Sequence, residues 1–165
     1  MVAPKEEIRS SMNISDHITL KEATRSNTAK RLGIDNTPDE ETLVTMRFTA
    51  EYIFEPLRNH FGEQIYVSSF YRSKDLNKAI GGSKTSQHCK GEAIDIDDVY
   101  SKATNADFFN YIKDNLEFDQ LIWEFGDDTN PAWVHASYCL GNNRMRVLKA
   151  IKENGKTKYI DITNE

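Results

Sequence analysis

The apolar positions of this chain follow two different periods, one helical and one of strands. In NTPDEETLVTMRFTAEYIFEPLRNHFG (36–62), Leu43, Met46, Phe48, Ile53, Phe54 and Leu57 supply one broad helical face. Pro38 and the acidic Asp39, Glu40 and Glu41 stand where a helix N-terminus favours them, and Gly62 follows the end. Pro56 is expected to kink this helix or divide it. Shorter helices are predicted from about Thr19 to Ser26 and in SKDLNKAI before Gly81-Gly82, and KATNADFFNYIKDNL is amphipathic. Elsewhere the pattern is that of strands: QIYVSSF (64–70) by composition and EAIDIDD (92–98) by alternation. FDQLIWEF and AWVHASY form a strand pair around the turn GDDTNP (126–131), and RMRVLKAI and TKYIDI flank Asn154-Gly155, a two-residue hairpin signal. Helices first and strands later predict an α+β fold, N-terminal helices packed on a small antiparallel sheet.

Composition narrows the function classes. A chain of 165 residues suits one core, so 14–165 is expected to be one domain behind a loose polar N-terminus, 1–13. The net charge of −5 argues against general nucleic-acid binding, which needs a basic surface. Apolar runs are too short to span a membrane, and the charged N-terminus lacks the apolar segment of a secretory signal. The chain is therefore expected to be made in the cytoplasm, as a monomer. Cys89 and Cys139 do not make a disulfide framework.

The chemistry concentrates in SQHCKGEAIDID (86–97), where a histidine and several carboxylates share a turn and a short strand. Alternation puts Ala93, Asp95 and Asp97 on one strand face and Ile94 and Ile96 on the other. On 132–138, Trp133, His135 and Ser137 share a face. Read from spacing alone, His88 and His135 are either metal ligands or hydrogen-bonded core residues. His60 sits at a helix C-terminus, where a cation is favourable, and His17 lies in a polar turn with no partner in view.

The string YRS…GGSKTSQHCKGEAIDI…WVHASY closely resembles the zinc D-Ala-D-Ala carboxypeptidases and phage cell-wall endopeptidases, whose pattern is S-x-H-x(6)-D followed by W-x-H. The lead-in ISDHITLKEATRSNTAKRLGIDNTP and EPLRNHFG are also similar, so the resemblance covers nearly all of 14–140. It implies the hedgehog/DD-peptidase fold and one Zn²⁺ per chain, held by His88, Asp95 and His135. It also implies a peptidoglycan stem peptide as substrate, met by Arg72, whose guanidinium fork suits a carboxylate, with Ser86 assisting. A phage or prophage lysin of this kind acts on the cell wall. Glu92 and Asp97 are then solvated or supporting groups, the two cysteines non-ligating, Ser83 and Gln87 rim positions, and Trp133 a cleft wall or plain core.

Amide hydrolysis also needs a carboxylate that takes a proton from water and returns it to the leaving amine. Family members often carry it three residues before the last histidine, where this chain has Ala132. If the 126–131 turn closes symmetrically, Glu124 pairs with Trp133 and lies diagonal to His135, about 7–8 Å away between Cα atoms. Glu124 is the expected base, with Asp127 and Asp128 as competitors that turn composition already explains. The rival class is a non-catalytic, zinc-stabilised binding module, as in hedgehog-like relatives.

Overall fold

The chain enters through a small hairpin that its sequence did not announce: β1 (Asn13–Ser15) and β2 (Ile18–Thr19). These positions belong to the computed structural model, which describes residues 12–165. The expected loose N-terminus lies outside the described residues, apart from Met12 and Asn13. The single short helix expected from Thr19 to Ser26 is two helices, α1 (Leu20–Thr24) and α2 (Asn27–Leu32). The reason is that both hydroxyls are caps: Thr19 accepts from the Glu22 amide at 3.1 Å, and Ser26 accepts from the Ala29 amide at 3.1 Å.

The long helix starts at an Asp39 cap that accepts from the Thr42 amide at 2.7 Å. It runs as α3 (Glu40–Thr49), a wide π-helical turn (Ala50–Phe54) and α4 (Glu55–Phe61). The helical run passes Pro56 unbroken, so the expected division does not occur. Proline has no N–H to give the preceding turn, and the chain absorbs the misfit by widening just before it.

The remaining elements are β3 (Tyr66–Ser69), α5 (Lys74–Ala79), a 3₁₀ turn (Gln87–Lys90), β4 (Ala93–Asp97), α6 (Asn105–Asn115), β5 (Gln120–Glu124), β6 (Trp133–Ser137), β7 (Arg146–Glu153) and β8 (Lys156–Asp161). The sheet order is β3-β4-β6-β5-β7-β8. The α+β class holds, but the small antiparallel sheet is a six-stranded mixed one, because β7 runs parallel to β5. Both edges of β6 are already taken by β4 and β5, so the chain leaving β6 must cross to the free edge of β5. The main core joins Met46, Ile53, Phe54 and Leu57 to the sheet residues Ile94, Ile96, Val134 and Ala136, with Phe108 and Ile112 of α6. The helical contribution is thus not confined to the N-terminal half.

Candidate active site

The face of the sheet opposite the main core carries the chemistry. Pairing places Asp95 beside His135, His135 beside Ile122, and Ile122 beside Leu148, in one row across β4, β6, β5 and β7. The next row runs Trp133, Glu124, Ala150, Tyr159. The hairpin register is the one the turn predicts: Glu124 pairs with Trp133, and the Ala132 amide donates to the Glu124 carbonyl at 2.9 Å.

The 3₁₀ turn brings His88 to these rows. Ser86 starts it by accepting from the His88 amide at 3.3 Å, and Gly91 ends it in the left-handed region at φ +74°. A methyl group on Gly91 would stand 2.6 Å from Met46 Cγ and 3.1 Å from the Thr42 carbonyl, so the turn abuts α3 too closely for any other residue. His88 is 2% exposed and donates from Nδ1 to the Phe70 carbonyl at 2.7 Å. That bond fixes the tautomer and leaves Nε2 as a bare lone pair facing the site.

His88 Nε2 lies 3.3 Å from Asp95 Oδ1, and His135 Nδ1 lies 3.0 Å from the same oxygen. The first contact is not a hydrogen bond: Nε2 is buried and without a hydrogen-bond partner. A lone pair facing a carboxylate calls for a cation between them. One ligand atom from each of His88, Asp95 and His135 lies within 4.8 Å of the others, which lets the three grip a single metal ion. They are the one such group among the described residues, and neither cysteine belongs to it.

The protonation states suit that task. Burial pulls the His88 pKa down and keeps its imidazole neutral. Burial alone would raise that of Asp95, but the adjacent His88 and the hydrogen bond from His135 hold the carboxyl well below its usual range. The charge of His88 cannot serve both tendencies. A neutral imidazole beside an ionised carboxylate is the state that the Phe70 contact supports, and it is the ligand-ready state.

Glu124 is 7% exposed, and burial pushes its pKa up to about 7, with the Asp95 charge adding to the rise and His135 and Arg72 opposing it. It lines the same cleft, of about 1060 Å³, as Arg72, Ser86, His88, Asp95 and His135. Asp127 and Asp128 do not line it. Asp127 accepts from the Thr129 and Asn130 amides at 2.8 and 2.9 Å, closing the turn, and Asp128 pairs with Lys149 at 2.5 Å in solvent.

The Arg72 amide donates to the His88 carbonyl at 3.2 Å, tying this arginine to the ligand turn. Its Nε is buried without a hydrogen-bond partner, and the guanidinium has no ion pair among the described residues. Trp133 lines the cleft and stacks at a tilt on Phe125. Ser83 and Gln87 line it too. Glu92 accepts from the Cys139 thiol at 2.9 Å, and burial pushes that thiol up to about 12, so it stays protonated. Asp97 accepts from Asn105 at 2.9 Å and serves the loop below α6. Of the other histidines, His60 stacks on Tyr111, while His17 does have a partner, Glu55, at 2.7 Å.

Two features were not legible. Asp119 is buried, grips Arg144 at 2.7 and 3.0 Å and accepts from Gln87 at 2.9 Å, so the C-terminal segment braces the turn that holds His88. Hydrogen bonds from Arg144 lower its pKa to about 2. Tyr159 and Lys152 reach the cleft from the last hairpin, whose Asn154-Gly155 turn was readable but whose place beside the site was not.

Residues 16–137 match the model of a family described as Peptidase M15. No curated protein matches the chain.

Proposed function

The chain belongs to the peptidase M15 family, and from that premise we propose that it is a zinc metallopeptidase that hydrolyses amide bonds in peptidoglycan stem peptides. The observation that carries the reading is the buried, unpartnered Nε2 of His88, which faces Asp95 and His135 in a cleft that also holds a buried carboxyl. His88, Asp95 and His135 would hold the ion, whose chemistry is to polarise the scissile carbonyl and acidify water. Glu124 takes the proton from the attacking water and returns it to the leaving amine. A pKa raised toward neutrality suits that exchange. Arg72, with its guanidinium unpaired in the cleft, holds a substrate carboxylate, and Ser86, which lines the same cleft, offers a second contact. Acting on peptidoglycan places the working protein at the cell wall, as for a phage or prophage lysin.

Ala132 keeps one other reading open, a zinc-stabilised module that binds without cutting. The zinc-loaded protein and its Glu124→Gln variant, incubated with purified peptidoglycan and stem peptides, separate the two. The expected result is chelator-sensitive cleavage by the parent and a 10²–10⁴-fold loss, roughly, in Glu124→Gln with zinc retained. Asp127→Asn and Asp128→Asn should cost far less. A parent that cuts nothing leaves the binding module.

A further inference from the structure

The family match ends at residue 137, yet the cleft does not. Strands β7 and β8 extend the sheet on the side of Glu124 away from the metal-capable triad. Across this face the order is Arg72 beyond the end of β3, Asp95 on β4, His135 on β6, Glu124 on β5, Ala150 on β7 and Tyr159 on β8. Ile122, Leu148 and Ala150 form a small apolar cluster of their own, apart from the main core, and the first two line the cleft. Tyr159 is 55% exposed although it lines the same cleft. With strands about 4.8 Å apart, its Cα lies roughly 10 Å from that of Glu124, and a tyrosine side chain spans most of that gap over the small Ala150. Burial raises its pKa, and the charges of Glu124 and Asp95 add to the rise, as expected of a phenol leaning toward those carboxylates.

We propose that β7 and β8 form a substrate subsite, in which Tyr159 and the Ile122–Leu148–Ala150 floor hold the stretch of peptide N-terminal to the scissile bond. This rests on the peptidase reading for its direction: Arg72 at the opposite edge takes the carboxylate end, so the acyl side of the substrate lies over β5, β7 and β8. From β4 to β8 is about 19 Å, the length of five or six extended residues. The cleft therefore selects an extended peptide and not a free dipeptide. Lys152, which lines the cleft beside Thr157, stands where it can meet a carboxylate on that peptide.

The test uses N-acetylated peptides that share one scissile bond and C-terminal end but carry either one or four residues before the bond. The zinc-loaded parent should cut the long peptide at least 10-fold faster in kcat/KM than the short one. Tyr159→Ala should erase most of that preference, chiefly through KM. Ile160→Ala, on the other face of the same strand, should keep it. Equal losses on both lengths, or an undiminished preference in Tyr159→Ala, would overturn the subsite. Should the parent cut neither peptide, the peptidase reading fails, and binding still decides the subsite. Titrating both peptides into the zinc-loaded Glu124→Gln variant, with and without Tyr159→Ala, should show a long-peptide preference that depends on Tyr159. No such preference there also overturns the proposal.

Discussion

Glu124 shows how a single residue's role depends on partners distant in sequence. Nothing local marks it: only closure of the hairpin opposite Trp133 brings it onto the His135 face. Its burial then has a consequence for stability. In the metal-free protein its pKa is raised from 4.5 to about 7, with desolvation the main cause. Below pH 4.5 the carboxyl is protonated in both folded and unfolded chains and contributes nothing. Between 4.5 and 7 the unfolded chain sheds the proton while the folded one keeps it, so the folded state loses stability as pH rises, and above 7 the loss is complete. The raised pKa corresponds to on the order of 3 kcal/mol. Glu124→Gln has no such titration. Urea unfolding in chelator at pH 5 and pH 8 should show the variant gaining on the parent by about that amount at the higher pH. A stability difference that does not change with pH would mean that the Glu124 carboxyl is not held in a desolvated site. With metal loaded the gain should shrink, since a cation nearby favours the ionised carboxylate.

At the scale of elements, the legible part of the fold was whatever local chemistry dictates. The Asp39 cap, the 126–131 turn and the Asn154-Gly155 turn, with φ of +53° and +77°, all lie where their residues demand. The six-residue turn even fixed the register of Glu124. What could not be read was decided by non-local pairing. The parallel placement of β7 follows from β6 having no free edge, and the β1–β2 hairpin depends on Ser15 and His17 meeting Glu55, some forty positions away. The site divides along the same line: the His88 turn and the Asp95 strand were visible as a motif, whereas the Asp119 brace and Tyr159 arrive by crossover. The His88 turn makes its own prediction. Gly91→Ala would strain a positive φ and drive a methyl into Met46 and the Thr42 carbonyl, so it should cost about 1–3 kcal/mol and weaken metal binding by displacing His88. Gly62→Ala has φ +64° but nothing within 4 Å of the added carbon, so it should cost roughly 1 kcal/mol and leave metal affinity intact. Thermal melts and competition with a chelating dye measure both effects. Equal metal affinity in the two variants would show that the turn does not set the position of His88.

At the scale of the whole molecule, the metal-capable triad is a clamp that joins a turn and the strand that follows it to a third element, β6, forty positions further along the chain. His88 belongs to the turn packed against α3, Asp95 to β4 and His135 to β6. Without a cation the clamp is poor: Asp95 is ionised and largely buried, and His88 Nε2 meets no donor. A divalent ion that binds only the folded chain would relieve both, and it stabilises in proportion to the logarithm of its excess over Kd. At about a thousandfold excess that is roughly 4 kcal/mol, and for a chain of this size each kcal/mol is worth about 2–4 °C in Tm. Stripping the metal should therefore lower Tm by on the order of 10 °C, and added zinc should restore it, with one zinc per chain by elemental analysis. No helix among the described residues is long and apolar enough to cross a membrane. His88→Ala and His135→Ala should melt near the stripped protein and ignore added zinc. Cys89→Ser and His60→Ala should respond as the parent does. Full zinc occupancy in His135→Ala, or a zinc response lost in Cys89→Ser, would move the metal to a different set of ligands and remove the foundation of the peptidase reading.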